Sequence, residues 1–202
     1  MSYSKFTNLE LKQKFGIEPI YRPGLFTALP SCQASELLNM TLAQNIPFAL
    51  AQGTEKARSE YIIAPVLVEL RRQTQERISI FSGWDFNVDK KAGLSGFCDF
   101  LVSRSPFQFA LEAPVVVAVE AKQQNFEKGL TQCTAEMVAA RIYNERAGND
   151  IGTVYGCVTT GDIWRFLALR GNYAEIESSS FDITQDLAQI LGILRAMSCG
   201  DI

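Results

Sequence analysis

The run Ala113-Pro114-Val115-Val116-Val117-Ala118-Val119 constrains this 202-residue chain more than any other stretch. It is apolar, rich in β-branched residues and continuous rather than alternating in polarity, as expected for a central strand covered on both faces. It ends in Glu120-Ala121-Lys122. Because side chains alternate along a strand, Glu120 and Lys122 point to the same side, roughly 6.6 Å apart along the chain. Upstream, Asp99 interrupts a second apolar segment, Gly96-Phe97-Cys98-Asp99-Phe100-Leu101-Val102. If that strand runs beside the first, three charged groups converge at one edge of an apolar sheet, an arrangement suited to phosphodiester hydrolysis.

An acid two residues before a lysine also occurs at Glu10-Leu11-Lys12 and Asp89-Lys90-Lys91, so the spacing alone says little. Context separates the third case. The Glu10 triplet lies in a polar N-terminal stretch and the Asp89 triplet in a glycine-flanked turn. The plainer reading of Glu120 and Lys122 is a salt bridge at a strand end. Asp99 could pair within the sheet, but a carboxylate among Phe, Cys, Leu and Val is costly to bury without a partner or a metal.

Composition narrows the chemistry. The chain has no histidine, which excludes Ser-His-Asp and Cys-His hydrolysis and histidine-based zinc sites. Carboxylates, lysines and tyrosines remain, and carboxylates hold hard cations such as Mg²⁺ or Mn²⁺ best. The five cysteines form no CxxC pair and read as small hydrophobes in a reducing, cytoplasmic setting. No apolar run is long enough to span a membrane. The net charge of −3 and pI near 5.1 are not those of a nucleic-acid-coating surface. A nuclease needs only a local basic rim, which Arg71-Arg72, Arg141, Arg146, Arg165 and Arg170 could supply.

The periodicity predicts a helix near 4–14, then a loop through Pro19, Pro23, Gly24 and Pro30. Helices follow at 33–45 and at 55–75, the second apolar nearly all round and hence buried. Pro65 inside it should bend it or remove a backbone bond near residue 61. Strands are expected at 78–88, 96–103 and 115–120, a helix over 126–148, strands at 153–159 and 163–169, and a closing helix at 182–197. With no repeat or linker, residues 1–202 form one domain.

Over about residues 54–170 the chain resembles the PD-(D/E)xK nuclease superfamily. The resemblance rests on Glu60 in the helix before the sheet, Asp99 in the second strand, Glu120-x-Lys122 in the third, and the polar helix that follows. Cys98 replaces the proline that usually precedes the first acid. Gln132 and Glu136 stand at i and i+4, where some exonuclease branches carry Gln and Tyr.

The resemblance implies a restriction endonuclease-like α/β fold, a three-layer sandwich with a central mixed β-sheet flanked by helices. Residues 1–50 and the C-terminal helix at 182–199 would then decorate it. It also implies a metal-dependent nuclease acting on nucleic acid, DNA in the first instance, with a homodimer suited to double-strand cutting. Asp99, Glu120 and the Ala121 main-chain carbonyl would bind Mg²⁺ (or Mn²⁺), with Glu60 a further candidate ligand, and Lys122 would be the catalytic cation. Gln132 is a secondary candidate, although an exposed polar helix face explains it slightly better than a site role does and explains Glu136 clearly better. The alternative is a catalytically silent module of the same fold that binds nucleic acid or a partner protein.

Overall fold

The computed structural model describes residues 2–122 and 126–202. A short 3₁₀ turn (Tyr3–Lys5) precedes α1 (Asn8–Phe15), β1 (Glu18–Arg22), α2 (Glu36–Gln52) and α3 (Glu55–Arg58). A π-helical turn (Ser59–Ile63) leads into α4 (Ala64–Gln73), then β2 (Ser79–Asp85), β3 (Phe97–Ser103), β4 (Val115–Ala121) and α5 (Phe126–Arg146). The chain ends with β5 (Thr153–Thr159), β6 (Ile163–Arg170), β7 (Tyr173–Glu177), the short β8 (Phe181–Asp182) and α6 (Ile183–Cys199).

The strands build one mixed sheet in the order β1-β7-β6-β5-β4-β3-β2, with β8 added beside β6. The pairs β4–β5 and β1–β7 are parallel and the others antiparallel. Every residue of β4 is buried, because helices cover both faces. On one face α2, α4 and α6 pack over Val117, Val119 and Phe166. On the other, α1 and α5 pack over Ala118, Val158 and Leu167. This is the three-layer arrangement that a continuous apolar strand requires. The terminal segments share these cores: Tyr3 is buried in the second, and Ile190, Leu191 and Leu194 of α6 in the first.

The segment expected to loop through Pro19 contains β1, an edge strand. A proline lacks the ladder donor but is tolerated at an edge, and the pull of β7 on Glu18–Arg22 outweighs the local turn signal. β7, Tyr-Ala-Glu-Ile-Glu, is short and carries two acids, so its pattern is visible only beside its neighbours.

Pro65 does what its ring dictates. It cannot donate to the Tyr61 carbonyl, and the helix answers with the π-helical turn. Asn45 Nδ2 on α2 donates to that carbonyl instead, at 2.8 Å.

Helix α5 is locked to β4. Val115 N donates to Asn144 Oδ1 at 2.7 Å and Asn144 Nδ2 returns a bond to Val115 O at 2.8 Å. The helix also needs Gly156 on β5, where an added Cβ would stand 2.7 Å from Cys133 Sγ. Gly156→Val should therefore lower stability by about 1–3 kcal/mol through overpacking, measured as a lower urea midpoint.

Candidate active site at the C-terminal end of β4

The two other acid-x-lysine triplets are structural. Glu10 closes a capping box with Thr7 at the start of α1, and Asp89 sits in a turn, bridging to Leu94. Glu120-Ala121-Lys122 lies where β4 ends, as expected.

Strand β3 pairs with β4 up to Phe100↔Val119. Beyond that pair a side chain replaces the ladder: Asp99 Oδ2 accepts the Ala121 N–H at 2.8 Å. A strand residue sends its N–H and C=O to the same side, so the Ala121 carbonyl also opens toward Asp99. Lys122 N turns the other way, to Thr159 O of β5 at 2.8 Å.

Glu120 and Lys122 share the α5 side of the sheet. Glu120 is 1% exposed, and Lys122 Nζ donates to its Oε1. The Lys122 stem lies over Gly129, where an added Cβ would stand 3.0 Å from Lys122 Cγ. Asp99, Glu120 and Lys122 are thus brought together, close enough for each to bias the others' ionisation.

Behind Glu120 lies a residue whose importance the sequence conceals. Glu136 of α5 is fully buried rather than on an exposed polar face, and Gln132 is 8% exposed. Gln132 Nε2 donates to Glu136 Oε1 at 3.2 Å, and the Glu136 carboxyl faces that of Glu120. Neither Glu120 Oε2 nor Glu136 Oε2 meets a protein donor. Two ionised carboxylates offer only acceptors, so the pair becomes a hydrogen bond when one of them carries a proton. The signal for Glu136 was its helical register with Gln132, but burial depends on how α5 sits on the sheet.

Electrostatics follows from this crowding. Burial, then Asp99, push the Glu120 carboxyl up to about 7, against the opposing pull of Lys122. Burial, then Glu120, hold Glu136 well above the usual carboxylate range, and burial raises Asp99 too. Burial disfavours the charge on Lys122, but Glu120, Asp99 and Glu55 outweigh it and its pKa is raised.

On the opposite side from α5, Asp99 and Ala121 open into a cleft of ≈ 360 Å³, walled by α3, the π-helical turn and β2. Glu60 lines this wall, half exposed, and is paired with Lys56 at 2.9 Å. Glu55, one helical turn earlier, exerts the stronger pull on the cluster, raising both Asp99 and Lys122. It carried no motif in the sequence.

Among the described residues no group of three or more Asp, Glu or Cys side chains is arranged to hold a metal. The donors present are two carboxylates and one carbonyl: Asp99, Glu120 with its unpartnered buried Oε2, and Ala121 O. An oxygen set of that size fits a hard cation that keeps several of its waters.

All five cysteines are free. Cys98, Cys133 and Cys157 are buried as read from the sequence, whereas Cys32 and Cys199 are only partly so. Among the described residues no helix is long and apolar enough to cross a membrane. No family model, curated protein or solved structure matches the chain.

Proposed function

We propose that this chain is a Mg²⁺- or Mn²⁺-dependent nuclease with a restriction endonuclease-like fold, hydrolysing phosphodiester bonds in DNA. The observation that supports it most is the convergence of Asp99, Glu120 and Lys122 beside an open cleft, at the end of an otherwise apolar central strand. A buried Glu120 raised to about 7 works against folding stability, and such groups cluster at functional sites.

In this reading Asp99, Glu120 and the Ala121 carbonyl hold the cation. When bound, it supplies an activated water and neutralises charge on the scissile phosphate. Lys122 stays protonated, so it acts as a donor: it orients the attacking water and stabilises negative charge on the phosphate oxygens. Glu136 and Gln132 fix Glu120 from behind. Glu60, engaged by Lys56, stays outside the ligand set. A homodimer would suit the cutting of both strands of a duplex, and light scattering would register it as a doubled mass.

The test is cleavage of plasmid and single-stranded DNA with Mg²⁺ or Mn²⁺, beside Asp99→Ala purified identically. Metal-dependent cutting that disappears in the variant is expected. Equal cutting by both proteins, or none by either, would overturn the enzyme reading. Metal-independent DNA binding without cutting would favour a silent binding module of the same fold.

A further inference from the structure

Six arginines were candidates for a basic rim, and among the described residues none of them lines the cleft. Arg71 pairs with Glu76, Arg72 with Glu69, Arg146 with Asp89 and Arg170 with Glu175. Arg141 donates to the Gly171 carbonyl, and Arg165 lies over the Phe126 ring beside α5. The cleft itself carries Glu55, Glu60 and Asp99 against Lys56. Such a wall repels a polyanion, so a phosphate is drawn in only by a bound cation and Lys122. Affinity for the rest of a nucleic-acid strand has to come from uncharged surface.

Phe97, the first residue of β3, supplies one. Its neighbour Cys98 is buried in the core beneath α5, with Cys133 and Met137. Successive side chains of a strand point to opposite faces, so Phe97 projects on the face where the cleft opens. It is 69% exposed and stands two residues from Asp99, about 6.6 Å along the strand. That span corresponds to about two nucleotide steps at about 3.4 Å each. On β2, Gly83 falls between the pairs Ser82↔Phe100 and Trp84↔Cys98, so it neighbours Asp99. It lines the cleft without a side chain, and a Cβ there would meet nothing within 4 Å. β2 therefore leaves that side of the cleft floor open.

The cleft is also narrow. Its ≈ 360 Å³ equals a cube about 7 Å on a side, less than the roughly 12 Å width of the major groove alone, so it accepts one strand and not a duplex. An exposed phenyl ring offers a flat apolar face, which a base can cover only when it is free of a neighbouring base. We propose that Phe97 is a base-stacking subsite for single-stranded nucleic acid, holding a base about two nucleotides from the phosphate at Asp99. The inference rests on the nuclease reading and adds to it the substrate class, an unpaired strand. Phe97 binds and positions; it does not touch the reacting atoms.

The test measures binding of a short fluorescein-labelled oligodeoxythymidine by fluorescence anisotropy in Mn²⁺. The parent protein is Lys122→Ala, which keeps the cation ligands and spares the probe. Adding Phe97→Ala should weaken binding about 10-fold and leave the slope of log K against log salt unchanged, because no charge is removed. Phe97→Trp should bind at least as tightly as the parent. An abasic nucleotide walked along the probe should weaken binding to the parent at one position and cost Phe97→Ala nothing there, since both changes remove the same contact. A purely structural Phe97 would leave that abasic penalty in place. Because Phe97 is exposed, the melting temperature should not move. Wild-type protein should cut single-stranded DNA with a higher kcat/KM than duplex. Parent-like affinity in Phe97→Ala, no binding by the parent, or faster cutting of duplex would overturn the subsite while leaving the nuclease reading intact. Absence of cutting of either substrate by the wild type would overturn both.

Discussion

Lys122→Ala should lower metal-dependent cleavage by about 10²–10³-fold, the usual loss when one preorganised donor to developing charge is removed. Lys122 is bonded to Glu120 and carries a raised pKa, so at neutral pH it has no free lone pair and cannot serve as a base. Its loss should therefore appear in kcat more than in KM. Lys122 also competes with a cation for Glu120. Mn²⁺ affinity of the variant, measured by calorimetry, should be unchanged or higher. Weaker Mn²⁺ binding would make Lys122 a structural support of the site, and full activity would remove it from the mechanism.

The metal-free protein should lose stability as pH rises from 5 to 8. Glu120 has a folded-state pKa of about 7 against an ordinary 4.5. For a raised pKa the stabilising contribution is complete below 4.5 and is lost as pH climbs through about 7, because the unfolded chain releases the proton more readily. The gap corresponds to about 3 kcal/mol, as an upper bound. Glu136 moves in the same direction and reinforces the trend. Glu69 works at the other limb: hydrogen-bonded by Arg72, it is lowered to about 2, so its contribution is lost as pH falls toward that value. Urea unfolding at several pH values should show falling stability above pH 5, a smaller slope in Glu120→Gln, and recovery on adding Mg²⁺ at pH 8. A flat or rising profile between pH 5 and 8 would mean that the buried acids ionise at no cost.

Glu136 offers a separate check within this cluster. Glu136→Gln keeps the shape and supplies a permanent donor to Glu120, so it should fold as stably as wild type at pH 6. Glu136→Ala should lose about 2–3 kcal/mol by leaving a cavity and an unpartnered carboxyl.

Much of the site was legible because it follows local rules. The two-residue repeat of a strand sets Glu120 and Lys122 on one side, and the unbroken apolar run calls for cover on both faces. Pro65 announces a missing bond wherever the helix packs. The same locality explains the corrections. Glu18–Arg22 has weak strand character of its own and becomes β1 only because β7 lies alongside. Glu136 looks like a surface residue until α5 is laid on the sheet.

The sequence by itself determined the central strand, its need for cover on both faces and the shared side of Glu120 and Lys122, since each depends on spacing along one segment. Only the tertiary structure decided that Asp99 takes the Ala121 N–H, that Glu136 is buried against Glu120, and that Glu55 outweighs Glu60. These are contacts between segments far apart in the chain. They depend on sheet order and on how closely α5 approaches β5, which Gly156 permits and no local pattern specifies.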